Sequence, residues 1–238
     1  MILGVLVERE RKKHRALVRA ESLAAVGRAV LELAHDMKTP LMAIGGFTTQ
    51  ISRALDGDDP KQKKLRVVIQ ETGRLEKMVR EMLDFGKPAE LQLKATNLND
   101  LVREVTDTIR PVAEKAQVVL DTDLDLLLCP LMLDGPKVKQ ALLNLAMNAL
   151  EASPSGEHVI IKTVVDHHGV NLHVIDGGPG IDREDVENIF KPFFTKKSKG
   201  TGLGLPIVKK IVQAHQGEIH FEGNEKKGVT FTIRFSAQ

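Results

Sequence analysis

Between Glu8 and about Leu55 the only proline is Pro40, and apolar or small residues return at helical spacing. Leu17, Ala24 and Leu31 mark the pattern first, then Val26, Val30, Leu33, Met37, Leu41 and Ile44. This spacing predicts one long amphipathic helix. Asp56-Gly57-Asp58-Asp59-Pro60 has the composition of a turn, and beyond it Leu65, Val68, Ile69, Leu75, Met78, Val79, Met82 and Leu83 describe a second helix. Two helices joined by a short turn make an antiparallel hairpin. Such a hairpin cannot enclose both apolar stripes unaided, so the patterning predicts a homodimer in which two hairpins form a four-helix bundle.

Gly86-Lys87-Pro88 ends the second helix and reads as a linker, after which helical and strand-like segments alternate. Asn97-Leu98-Asn99-Asp100 can cap a helix running to about Lys115, and a short strand begins at Val118 to Leu120. Asp134-Gly135-Pro136 opens a helix to about Ala152, with the proline in its first turn. Val159 to Val165 and Val170 to Ile175 read as a hairpin across Asp166-His167-His168-Gly169. A helix from Leu205 to His215 follows, then a strand pair, Gly217 to Phe221 and Val229 to Phe235, joined across Asn224 to Gly228. The expected fold class is α+β: the helical hairpin, then an α/β sandwich with helices on one face of a mixed sheet.

Composition narrows the function classes. At 238 residues and 42% apolar content, two small domains fit better than one large one. The net charge of +2 is too small to argue for nucleic acid or an anionic membrane, and the absence of Trp and Tyr weakens base stacking. Cys129, the single cysteine, excludes an intrachain disulfide framework, fits a reducing cytoplasm and is expected to be a small buried residue. The apolar run Met1 to Val7 is far short of the roughly 20 residues that cross a bilayer. It lacks the marks of a signal peptide but is compatible with the stub of an upstream membrane helix, the only membrane link expected.

Candidate chemistry begins in Leu33-Ala34-His35-Asp36-Met37-Lys38-Thr39-Pro40-Leu41. A helical histidine is usually structural, but Asp36 places a carboxylate where it can take or orient the ring proton of His35 while the other nitrogen attacks phosphorus. Pro40 lacks an N–H and crowds the carbonyl of Asp36, so the helix is expected to loosen there and expose His35.

A second set of motifs offers a phosphoryl donor. Asn144 and Asn148, four apart, project from one helix face, either as helix-capping or interhelical amides or as oxygen ligands completing the shell of a phosphate-bound Mg²⁺. Asp176 ends a strand in Asp176-Gly177-Gly178-Pro179-Gly180, where its carboxylate can accept from an adenine amino group and the glycines permit close approach. The same five residues also make a good turn. Lys199-Gly200-Thr201-Gly202-Leu203-Gly204 leads into a helix whose N-terminal N–H groups can meet phosphate; it is neither a Walker loop nor a dinucleotide fingerprint. Between them, Phe190, Phe193 and Phe194 are expected to anchor a lid whose Lys196, Lys197 and Lys199 offer charge to the polyphosphate, or simply face solvent.

His35-Asp36-Met37-Lys38-Thr39-Pro40-Leu41, preceded by Leu23-Ala24-Ala25-Val26-Gly27-Arg28, resembles the phosphoacceptor box of sensor histidine kinases. The later motifs, in their order, resemble the ATP-binding (Bergerat-type) domain shared by histidine kinases, Hsp90, DNA gyrase and MutL. The resemblance implies ATP-dependent phosphorylation of His35 and transfer to an aspartate of a response regulator receiver domain. Asp36 would assist as base, and Thr39 would orient water for dephosphorylating the regulator. ATP would contact Asn144, Asn148, Asp176, Gly178, Gly180, Lys196, Lys199, Gly200, Thr201, Gly202, Leu203 and Gly204, with Asn148 on Mg²⁺.

On this reading residues 1–20 are a signalling helix or coiled coil, 21–88 the dimerisation and phosphoacceptor domain, and 89–238 the ATP-binding domain. Gly86 to Pro88 would be the hinge between the last two, and a sensor module would lie upstream. Two rivals remain: a nucleotide-gated clamp that needs no phosphohistidine, against which the His35 box argues, and a scaffold or regulator phosphatase in which ATP only sets conformation.

Overall fold

The computed structural model describes residues 31, 33–56, 59–87, 90–167, 169–197, 200–223 and 228–236. The proposed signalling helix, the Leu23 to Arg28 stretch, Pro88 of the linker and Lys199 lie outside the described residues. The chain divides into two compact units between Pro88 and Ala89.

In the first unit, helix α1 covers residues 33–54 and α2 covers Lys61–Gly86. Asp59 Oδ1 accepts from the Lys61 N–H at 2.7 Å, and the Gln62 amide donates to Ser52 O and Leu55 O, closing the turn. Ala34 and Leu41 of α1 pack with Val79 of α2, flanked by Leu75, Met82 and Leu83, so the helices run antiparallel. A Cβ at Gly45 would lie 3.2 Å from the Thr72 methyl, which shows how closely the two backbones approach. The helices do not cover every apolar position: Leu33, Met42, Phe47, Ile51 and Val67 remain more than half exposed. α1 stays helical through Pro40.

The second unit is a sandwich. A five-stranded sheet has the order β2-β4-β5-β7-β6, with β2 (Val119–Leu124), β4 (His158–Asp166), β5 (Gly169–Ile175), β6 (Glu218–Gly223) and β7 (Val229–Ser236). β2 runs parallel to β4 and the other pairs are antiparallel. Register places Thr163, Leu172, Ile233 and Ile219 in one row across four strands, and Ile161, Val174, Phe231 and Phe221 in the next. Helices α3 (Leu98–Ala116), α4 (Gly135–Ala152) and α5 (Gly204–Ala214) pack with one another and on the strands. Asn97 caps α3 by accepting from Asn99 N–H, and Asp134 caps α4 by accepting from Lys137 N–H. Leu98, Val102, Val105 and Ile109 of α3 meet Val138, Leu142 and Leu145 of α4 in the fully buried core. Each such side chain stabilises the fold by about 1.5–3 kcal/mol relative to exposure.

Two features differ from the sequence reading. A separate two-stranded antiparallel sheet, β1 (Lys94–Thr96) with β3 (Leu131–Leu133), precedes α3 and α4. Three residues are too few to show alternation, so pairing alone reveals these strands. Cys129 is exposed, not buried, because it sits on the loop between β2 and β3, where Leu126 and Leu127 also face solvent.

Candidate active site

On α1, His35 and Asp36 are both 84% exposed, with His35 Nδ1 3.7 Å from Asp36 Oδ1. Thr39, also exposed, lies four residues after His35, one turn along the same face. Pro40 supplies no N–H to Asp36 O, so the carbonyl beside the histidine has no helical partner from that position. The result is an accessible imidazole with a carboxylate next to it and a hydroxyl one turn away.

In the second unit the apolar stripe of α4 is buried, and that fixes where its polar positions point. Asn144 Nδ2 donates to Gly204 O at 3.4 Å, and a Cβ at Gly204 would come within 3.9 Å of Asn148 Nδ2. The amide pair therefore faces the first turn of α5, whose N–H groups and helix dipole favour anions. Leu203, the residue before that turn, is fully buried and ties the glycine loop to the core. Its N–H donates to Thr201 Oγ1 at 3.2 Å, so Thr201 shapes the loop and the Leu203 side chain is not available to a ligand.

Gly202 has φ +68, and a Cβ there would fall 2.5 Å from the Phe193 carbonyl carbon. Its own carbonyl accepts from Phe193 N–H at 3.0 Å, which joins the glycine loop to the phenylalanine segment. Phe190 anchors that segment, 6.2 Å from the Phe221 ring with Lys209 over its face, whereas Phe193 is 45% exposed.

Asp176, just past β5, is buried. Its Oδ1 accepts from Gly178 N–H at 2.9 Å and Val229 N–H at 3.2 Å. Burial pushes its carboxyl above the usual range, opposed by those two N–H groups and by the charge of Lys197. A Cβ at Gly178 would lie 2.9 Å from Ala152 O, so the loop is pressed against the end of α4. Gly180 adopts φ +91, the left-handed region glycine enters without cost.

The lysines separate. Lys196 Nζ bridges Asp182 at 2.7 Å and Asp185 at 2.5 Å, and these carboxylates hold its ammonium well above the usual lysine range. Lys197 instead lies against α4, its Nζ 3.3 Å from Asn148 Oδ1 and 2.6 Å from Glu151 Oε2. Two residues outside the sequence motifs also shape the site. Glu151 is one; its only signal is the three-residue step from Asn148. Ser153 is the other: its Oγ donates to Ala149 O and accepts from Gly177 N–H, pinning the Asp176 loop to α4.

The donor set suits magnesium. Among the described residues no group of three or more His, Cys, Asp or Glu is placed to hold a metal. Asn148 Oδ1 is a hard amide oxygen, and a divalent ion held there beside a polyphosphate would draw its other oxygens from phosphate and water, as Mg²⁺ does. The Lys197 ammonium already stands against Asn148 Oδ1 as a cation would.

A mixed sheet backed by three helices, with an asparagine pair facing a glycine loop and a helix N-terminus, defines the second unit as a sandwich domain of the ATPase type. Known proteins agree with this class. The family described as "Histidine kinase-, DNA gyrase B-, and HSP90-like ATPase" matches residues 133–238, and "His Kinase A (phospho-acceptor) domain" matches residues 25–91. Signal transduction histidine-protein kinase AtoS of Escherichia coli (strain K12) is 34% identical over 224 residues, 94% of this chain and 37% of AtoS. Sporulation kinase D of Bacillus subtilis (strain 168) is 32% identical over 241 residues, 100% of this chain and 47% of the kinase. The solved complex of histidine kinase ThkA with response regulator protein TrrA is similar with TM-score 0.69 and 31% identity, covering 95% of this chain and 66% of that one. The chain belongs to the histidine kinases and spans about half or less of the length of these two relatives.

Proposed function

We propose that this chain is the catalytic core of a two-component sensor kinase, which phosphorylates His35 from ATP and passes the phosphoryl group to an aspartate of a response regulator receiver domain. The observation that carries the reading is the pairing, in one chain, of an exposed His35–Asp36 couple with an asparagine helix facing the glycine loop and the α5 N-terminus. A neutral imidazole nitrogen of His35 attacks the γ-phosphorus; the N–P bond forms as the bond to the bridging oxygen breaks and ADP leaves. Asp36 takes the proton from the other ring nitrogen. Asp176 reads the adenine amino group, while Gly200, Gly202, Gly204 and the α5 N-terminus cradle phosphate and Gly178 and Gly180 let the base approach. Asn148, assisted by Asn144, would hold Mg²⁺, which would supply charge neutralisation to the polyphosphate.

Thr39 serves a separate, opposing step, orienting the water that attacks the regulator's phosphoaspartate, regenerates the aspartate and releases inorganic phosphate. The exposed stripe of Leu33, Ile44, Phe47 and Ile51, which share one side of α1, supports a homodimeric four-helix bundle. No helix among the described residues is long and apolar enough to cross a membrane, and we place the core in the cytoplasm below an upstream sensor module. His35→Gln is expected to abolish acid-labile, alkali-stable protein phosphate from labelled ATP while leaving nucleotide affinity unchanged. Full acid-labile signal in that variant rules out His35 as acceptor.

A further inference from the structure

Glu151 has no part in the chemistry above, yet it lies on the same face of α4 as Asn148, one turn on. A carboxylate there would repel a polyphosphate unless a cation stood between them. One does: the Lys197 ammonium, 2.6 Å from Glu151 Oε2 and 3.3 Å from Asn148 Oδ1. Its sequence neighbour Lys196 is held by Asp182 and Asp185, so of these two adjacent lysines it is Lys197 that stands at this point of α4.

We propose that Asn148 and Glu151 form a cation slot in which Lys197 is the resident cation of the nucleotide-free protein, exchanged for Mg²⁺ when the polyphosphate binds. This rests on the assignment of Asn148 to the metal, and it adds Glu151 as an acidic determinant of the metal site. The donors fit either occupant, since a carboxamide oxygen and a carboxylate oxygen are ligands for an ammonium and for a hard divalent ion alike. Exchange is easy because Lys197 and Glu151 are 45% and 49% exposed, and an exposed ion pair holds weakly. The lysine stem has enough rotatable bonds to vacate the slot without moving its backbone. The divalent ion wins because it carries twice the charge and is bound by the phosphates as well.

Mg²⁺ titration at a fixed concentration of a fluorescent, non-hydrolysable ATP analogue reads the slot. In Lys197→Met the Mg²⁺ concentration at half-effect is expected to fall about two- to fivefold, the competition an exposed pair can exert. In Glu151→Gln it is expected to rise, and adding Lys197→Met to that background should then change it by less than about twofold, because the lysine has lost its partner. An unchanged half-effect in Lys197→Met, or the same shift with and without Glu151, overturns the exchange. If the wild type binds the analogue with no dependence on Mg²⁺, the assignment of Asn148 to the metal fails and the exchange falls with it; the wild-type titration thus separates the two failures.

Discussion

Asp176→Asn tests the adenine assignment with almost no change in shape. The carboxamide oxygen can keep the two bonds now made by Asp176 Oδ1, from Gly178 N–H at 2.9 Å and Val229 N–H at 3.2 Å. The other oxygen becomes an NH2 group, which opposes the adenine amino donor with a second donor. Losing a hydrogen bond to a charged acceptor costs about 1.5–3 kcal/mol, which weakens ATP binding about 10- to 150-fold. Guanine carries a carbonyl at the corresponding ring position, so the preference for ATP over GTP should narrow as well.

Stability should move the other way. Burial raises the Asp176 carboxyl above its unfolded value of 3.8, so its ionisation opposes folding above the folded pKa. That penalty fades as pH falls towards the unfolded value, and the amide removes it throughout. The melting temperature of the variant at neutral pH should therefore equal or exceed the wild type, with the gap closing on acidification. Calorimetric titration with ATP and GTP, beside thermal melts at neutral and acid pH, checks both arms. ATP affinity within twofold of the wild type and an unchanged ATP to GTP ratio would refute the reasoning.

Two further outcomes follow from the geometry. Gly202→Ala forces a Cβ to 2.5 Å from the Phe193 carbonyl carbon at φ +68, so the junction must shift; it should lose more than about 1 kcal/mol in denaturant unfolding, and nucleotide affinity should fall with it. Phe47→Glu places a charge on the uncovered stripe of α1, where Phe47 is 66% exposed. If the stripe forms the proposed homodimer interface, light scattering should show the variant shifted towards monomer relative to the wild type, with helicity little changed; an unshifted oligomeric state would remove this stripe from the interface.

The chain's local patterns accounted for most of its elements. Helical spacing of apolar residues, the caps at Asn97 and Asp134, and the turn between Asp166 and Gly169 each act within a few residues, so they are legible without the fold. The motifs likewise announced a histidine box and a glycine-rich nucleotide site, because their residue types and order are written consecutively. Tertiary structure decided what distance along the chain conceals. β1 and β3 exist only through their mutual register, and Cys129 is exposed because its loop projects from the sandwich. Adjacent lysines that composition cannot distinguish were sent apart, Lys196 to Asp182 and Asp185, Lys197 to Asn148 and Glu151 of a helix 46 residues or more away. Leu203 is a core residue within the glycine loop, and its burial holds that loop against the domain. Spacing in the sequence can name a candidate ligand, but only packing fixes which charge stands against it.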